Sequence, residues 1–197
     1  MSDQVIFLTH GEVEIDPDIP VPNWGLSEQG TRRHAAFAKD ALLEGVTSIF
    51  ASEERKAVEA AQLVGQSLNL PVNRRAEFGE NDRSATGYLP PDEFWPVVEQ
   101  FFGQPEASIR GWERAVDAQT RIVGAVRSVC QSAPKGDVLI VAHGGVGALL
   151  RCHLLEIDIT PDEGQPHSGG GCVFCFDRVM SNDLAAKPPK PTDWRAI

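Results

Sequence analysis

The chain has 197 residues, 42% of them hydrophobic and 23% charged, a balance that suits one soluble α/β domain and argues against wholesale disorder. The formal net charge of -10 excludes the basic stripe that a nucleic-acid binder uses to neutralise phosphates. An N-terminus without a basic region, and with only a short apolar run at Val5–Leu8, predicts neither a signal peptide nor a membrane span, so a cytoplasmic protein is expected.

In chain order, Gln4–Thr9 reads as a buried strand that ends at His10-Gly11. The stretch from Glu12 to Trp24 is broken by Pro17, Pro20 and Pro22 and reads as a loop over that strand end. Ser27 is a helix N-cap, and the helix carries Ala35, Phe37, Ala38, Ala41 and Leu42 inward until Gly45. A second strand, Ser48–Ala51, leads through Ser52 into a helix over Glu53–Leu68, stopped by Asn69 and Pro71.

An irregular region from Arg74 to Pro91 precedes helical patterns at Asp92–Phe102 and Gly111–Ser132. Val138–Ala142 repeats the first strand's form, ending at His143-Gly144-Gly145 and entering a helix through Val146, Leu149 and Leu150. Cys172–Phe176 is a last strand, and residues 187–197 read as an extended tail over the surface. Strands alternating with helices predict a single-domain three-layer sandwich over residues 1–197, with a mostly parallel central sheet and helices on both faces.

Ligands of open α/β sheets collect at the carboxyl ends of strands, where helix N-termini point unpaired N–H groups. His10 and His143 both stand there, each followed by a glycine that lets a backbone approach a ligand. Leu8-Thr9-His10-Gly11-Glu12 resembles the Leu-x-Arg-His-Gly-Glu signature of the histidine phosphatases, the phosphoglycerate mutase-like enzymes. Ser52-x-x-Arg55, Phe78-Gly79-Glu80 with Asp82 and Gly87, Gly111-Trp112-Glu113 with Arg121, and the strand into His143 follow in the family's order.

The resemblance implies a metal-independent phosphatase without a cofactor, acting on a phosphorylated small molecule or a phosphoprotein. His10 is the implied nucleophile, forming a phosphohistidine; Arg55 and His143 hold the phosphoryl oxygens, and Glu80 protonates the leaving oxygen, with Asp82 the alternative carboxylate. Thr9, Gly11 and Gly144 fall in the implied phosphate cradle. Thr9 is also the departure, since the family carries Arg there, and Arg83 is the candidate replacement cation. That substitution keeps open a weakly active or inactive member that binds a phosphorylated ligand, and a phosphotransferase of the phosphoglycerate mutase type is the other alternative. A metal hydrolase built on the two histidines lacks a ligand cluster of recognisable spacing.

The remaining features carry blander expectations. His34 and His153 read as surface or core-edge residues, and His167 as a residue that borders the pocket. Cys172-x-x-Cys175 reads as core thiols, because residues i and i+3 of a strand face opposite ways. Trp24, Tyr88, Phe94 and Trp95 are candidates for the mouth of the site, where they would favour an apolar or aromatic leaving group.

Overall fold

A computed structural model describes residues 3–166, 169–179 and 187–197. Its six-stranded sheet contains β1 (Gln4–Thr9), β2 (Val46–Ala51), β3 (Val72–Arg74), β4 (Asp137–Ala142), β5 (Cys172–Asp177) and β6 (Arg195–Ala196), in the order β3-β2-β4-β1-β5-β6. β1, β2, β3 and β4 run parallel, while β5 pairs antiparallel with β1 and β6 antiparallel with β5. The expected α/β sandwich with a mostly parallel sheet is therefore present, with two antiparallel strands at one edge.

The uninterrupted apolar runs follow from burial on both faces. Along β1 and β4, Val5, Phe7, Val138 and Ile140 join one core, and Ile6, Leu8, Leu139 and Val141 join the other. The first core is closed by α4 (Ala115–Ser132) and α5 (Gly144–Leu154), through residues such as Ile122, Val126 and Leu150. The second is closed by α1 (Glu28–Phe37) and α2 (Arg55–Leu68), through Phe37, Ala57, Ala60 and Val64. Against the outer side of α5, α3 (Pro91–Gly103) builds a third cluster around Trp112, Phe101 and Leu149.

Several boundaries differ from the sequence reading for local reasons. Ser27 does cap α1, its side chain accepting from Gly30 N, but the helix ends at Phe37, and residues 41–43 form a separate turn capped by Asp40. α2 begins at Arg55, two residues later than expected, and Ser52 faces His143 instead of capping the helix. The stop at Asn69 is as read: that residue takes the left-handed conformation at φ 54°. Gly111-Trp112-Glu113 precedes α4, with Gly111 at φ 85° in the turn.

The tail is not merely draped over the surface. Thr192 N donates to Cys175 O at 2.8 Å and Ile197 N to Gly171 O at 3.0 Å, so residues 195–196 complete the sheet edge. Trp194 lies 4.7 Å from Phe174, centroid to centroid and nearly perpendicular, and its Nε1 donates to Glu163 O. Among the described residues, no helix is long and apolar enough to cross a membrane. Cys152, Cys172 and Cys175 are buried free thiols and Cys130 is a half-buried one.

Candidate active site

Adjacent parallel strands β1 and β4 deliver His10 and His143 to the same end of the sheet, and His10 N donates to Ala142 O at 3.0 Å. The two rings meet edge to face with centroids 5.1 Å apart. His10 Nδ1 lies 2.7 Å from Gly11 O, an acceptor only, so the ring carries its proton there and leaves the Nε2 lone pair free. Burial, followed by the neighbouring Lys56 charge, pushes the His10 pKa down to about 4. The imidazole is therefore neutral near pH 7, the form that can attack an electrophile.

His143 is fully buried, and its Nε2 stands 2.8 Å from Ser52 Oγ and 3.3 Å from Glu54 Oε1. Its pKa falls to about 4 as well, because desolvation outweighs the Glu54 charge. Glu54 Oε2 also meets the Lys56 ammonium at 2.5 Å, and Oε1 accepts from Glu80 N at 3.0 Å. Desolvation alone would raise the Glu54 carboxyl, but His143 and Lys56 together hold it well below the usual carboxylate range. A carboxylate and an ammonium, both largely buried, thus sit beside the two histidines.

Sequence reasoning missed Glu54 and Lys56 and chose Arg55. The Arg55 side chain is 61% exposed and pairs with Glu59 at 2.7 Å, on the solvent side of α2. Lys56, 3% exposed, lies on the buried stripe with Ala60 and Val64, at spacings of four and eight residues. That spacing was the available signal, because neighbouring positions on a helix point about 100° apart. Lys56 lines a recess that opens on His10; Arg55 does not.

Glu80 is brought to the site and Asp82 is not. The Glu80 carboxylate accepts from Gly145 N at 3.0 Å and Val146 N at 2.9 Å, capping the positive end of α5. Asp82 is exposed and instead accepts from Ser84 N. The stretch leading into Glu80 is clamped from α4: Arg121 donates to Glu77 O, Gly79 O and Glu80 O and forks onto Glu113. The Gly-Trp-Glu segment and its later Arg therefore hold the Glu80 loop in place.

The glycines and Thr9 have different neighbours from those expected. A Cβ on Gly145 would lie 2.7 Å from Glu80 Oε1, and one on Gly144 would lie 2.6 Å from Gln165 Nε2. These two glycines make room for side chains at the helix N-terminus, and Glu80 already occupies the amides of residues 145 and 146. Gly11 packs against Gly30 and His34 and contributes the carbonyl that orients His10, which is not a phosphate contact.

Thr9 is buried, donates to Gln165 Oε1 at 2.7 Å and accepts from Cys172 N at 2.9 Å. Where the family signature has a cation, this chain thus anchors a neutral amide at the edge of the site. Arg83 lines both recesses that open on His10; its guanidinium lies 5.3 Å from the Phe94 centroid, 5.5 Å from that of Trp112 and 4.0 Å from Glu80.

His34 is fully buried rather than at the surface, and neither ring nitrogen has a hydrogen-bond partner among the described residues. His167 lies outside the described residues. Among those described, no group of three or more His, Cys, Asp or Glu side chains is arranged to hold a metal ion.

An α/β sandwich with a neutral histidine at one strand end, a second histidine at the next and a loop carboxylate seated on the N-terminus of the helix that follows has the layout the sequence led one to expect. The sequence matches the histidine phosphatase superfamily (branch 1) over residues 5–172, and the chain belongs to that family. The uncharacterized phosphatase PhoE of Bacillus subtilis (strain 168) is 27% identical over 155 residues, 74% of this chain and 75% of that protein. A mycobacterial glucosyl-3-phosphoglycerate phosphatase superposes with a TM-score of 0.81 at 20% identity, covering 99% of each chain. YhfR of Bacillus stearothermophilus does so with a TM-score of 0.74 at 22% identity, over 94% of this chain and 93% of the other. At these identities the two structures show the shared fold.

Proposed function

We propose that this chain is a phosphatase that hydrolyses a phosphomonoester through a phosphohistidine on His10, with no metal ion in the reaction. The observation that carries the reading is the His10 geometry: a neutral ring, its proton fixed on the Gly11 carbonyl and its Nε2 free at the mouth of two recesses. The Nε2 lone pair attacks phosphorus in line as the bond to the leaving oxygen breaks, and Glu80, entering the step as the carboxylic acid, gives that oxygen its proton and is left as the carboxylate. Water then attacks the phosphorus of the P–N bond, giving its proton back to Glu80 and freeing inorganic phosphate and His10.

Arg83 and Lys56 supply the positive charge for the transferring oxygens, in the role first given to Arg55, and the Gln165 amide adds a neutral donor. His143 hydrogen-bonds the same oxygens once they displace Glu54 from its ring. A phosphorylated small molecule or phosphoprotein is the substrate class.

A second reading, a phospho-ligand-binding protein with little turnover, is favoured by one arrangement: Thr9 brings no charge, and Glu54 neutralises Lys56 at 2.5 Å. One lost charge-assisted contact in a transition state removes about 10²–10³ in rate. Hydrolysis of an aryl phosphate by the purified protein in excess chelator, compared with His10→Ala, separates the readings. Turnover that persists in chelator and vanishes in the variant supports the phosphatase. Absent turnover with measurable affinity for phosphate supports the binder.

A further inference from the structure

Two recesses meet at His10, of about 250 Å³ and 390 Å³, sharing His10, Arg83, Phe94 and Trp95 as common walls. The smaller one runs outward between the loop after β1 and the start of α3. Apart from Lys56 and Arg83 at its inner end, its walls are almost wholly apolar: Val13, Ile15, Trp24, Tyr88, Leu89 and Trp95 among them. No carboxylate lines it among the described residues, and the Trp24 indole N–H already donates to Asp16 O at 2.8 Å. Among the described residues, the phenol of Tyr88 is the one side-chain hydroxyl on its wall.

The rim carries two of the large apolar side chains that the protein leaves in water, Ile15 at 57% and Trp95 at 53% exposure. Their exposure costs solvation that a bound apolar group would recover. Trp24 and Tyr88 meet at 5.5 Å with their rings tilted, and Phe94 and Trp95 meet edge to face at 5.2 Å, giving the recess aromatic walls.

We propose that this recess selects phosphomonoesters whose alcohol part is aromatic or bulky and apolar, and that it discriminates against sugar and polyol phosphates. The phosphoryl group sits where neutral His10 meets the cations Arg83 and Lys56, and the alcohol part fills the space between Trp24, Tyr88, Ile15 and Trp95. A polyol there would surrender its hydration to walls that return few hydrogen bonds, and buried unpaired hydroxyls are penalised individually. The inference rests on the proposed phosphatase reading for turnover, but its selectivity is also legible in binding alone.

The test uses alkyl phosphates of similar leaving-group basicity, so that intrinsic reactivity does not mimic recognition: 2-(1-naphthyl)ethyl phosphate against glycerol 3-phosphate and glucose 6-phosphate. The naphthylethyl ester is expected to exceed both by about 100-fold in kcat/KM, and by a similar factor in calorimetric affinity to His10→Ala. Trp95→Ala and Ile15→Ser, at exposed positions, should each cut that advantage by about 5- to 10-fold.

Equal handling of the three esters, or an unchanged ratio in both variants, overturns the inference even if turnover depends on His10. If no ester is turned over but the affinity ranking holds, the phosphatase reading fails and the recess stands as proposed. A short phosphoserine peptide bound as tightly as the naphthylethyl ester also overturns it, because an extended peptide cannot fill the recess with its serine side chain.

Discussion

Replacing Glu54 by Gln removes a negative charge from the place where a phosphoryl group must dock, and the structure sets the size of the effect. The carboxylate touches Lys56 at 2.5 Å and His143 at 3.3 Å. A phosphorus atom in line with His10 stands about 3 Å from its Nε2, Glu54 is near enough to act on the His10 charge, and a separation of about 5 Å between docked phosphate and carboxylate is taken for the arithmetic. At an effective dielectric of about 20, each unit of phosphate charge is repelled by about 3 kcal/mol, and partial screening brings this to about 1.5–3 kcal/mol. Phosphate affinity should therefore rise by about 10- to 100-fold in Glu54→Gln.

The free protein should lose stability, by about 3 kcal/mol, because Lys56 is left buried with neutral oxygens, the Val21 carbonyl and the new amide, in place of its counter-charge. Saturating phosphate should recover much of that loss. Calorimetric titration with inorganic phosphate and urea denaturation with and without it measure both effects. Unchanged or weaker phosphate binding in the variant would refute the reasoning, and would recast Glu54 as a residue that prepares His143 and Lys56 for the ligand.

Three further outcomes are expected. Lys56→Met should weaken phosphate binding by at least about 10-fold while Arg55→Ala leaves it within twofold, and a calorimetric comparison of the two variants checks this directly. Arg121→Met should lower kcat by about 10-fold or more with little change in phosphate affinity, because it loosens the loop that aims Glu80 without touching the cationic junction.

The third concerns acid. His34 is pushed down to about 4 by burial and then by Arg33, and His143 likewise to about 4 by burial, so below the unfolded value of 6.5 the unfolded chain takes up protons that the fold refuses. Stability should then fall by about 1.4 kcal/mol per pH unit for each of them between about pH 6 and 4.5. His34→Leu should remove one share of that slope in urea denaturation at pH 7.5 and 5; an unchanged slope would contradict the assignment.

Much of this molecule could be read from its residues because the signals were local. The uninterrupted apolar runs of β1 and β4 mark strands covered on both faces, and the His-Gly steps at their ends mark the edge where the candidate site forms. Ser27 and Asn69 announce a helix start and a helix stop through their own side-chain and backbone chemistry. Glu80 was also legible, since its spacing after Phe78 and Gly79 matched a known order.

What stayed hidden depended on direction or on distant partners. Arg55 is read from its place in Ser52-x-x-Arg55, yet the rotation of α2 decides which residue of that turn faces inward, and it is Lys56. Glu54 looks like any acidic residue at a helix start, and only the fold places it between His143 and Lys56. Residues 195–196 become a strand because β5 offers them an edge, and no short-range pattern records that. His34 lies within an ordinary amphipathic helix, and its burial follows from the close approach of Gly11 and Gly30.

The most direct test of the account is to mix the protein with 2-(1-naphthyl)ethyl phosphate in excess chelator, quench within milliseconds in base, and map the phosphorylated residue by mass spectrometry. The account predicts a base-stable, acid-labile phosphoryl group on His10 that is absent from His10→Ala and forms more slowly in Glu80→Gln, which lacks the acid that protonates the leaving alkoxide. Turnover without any phosphorylated histidine, or a phosphoryl group on another residue, would contradict it.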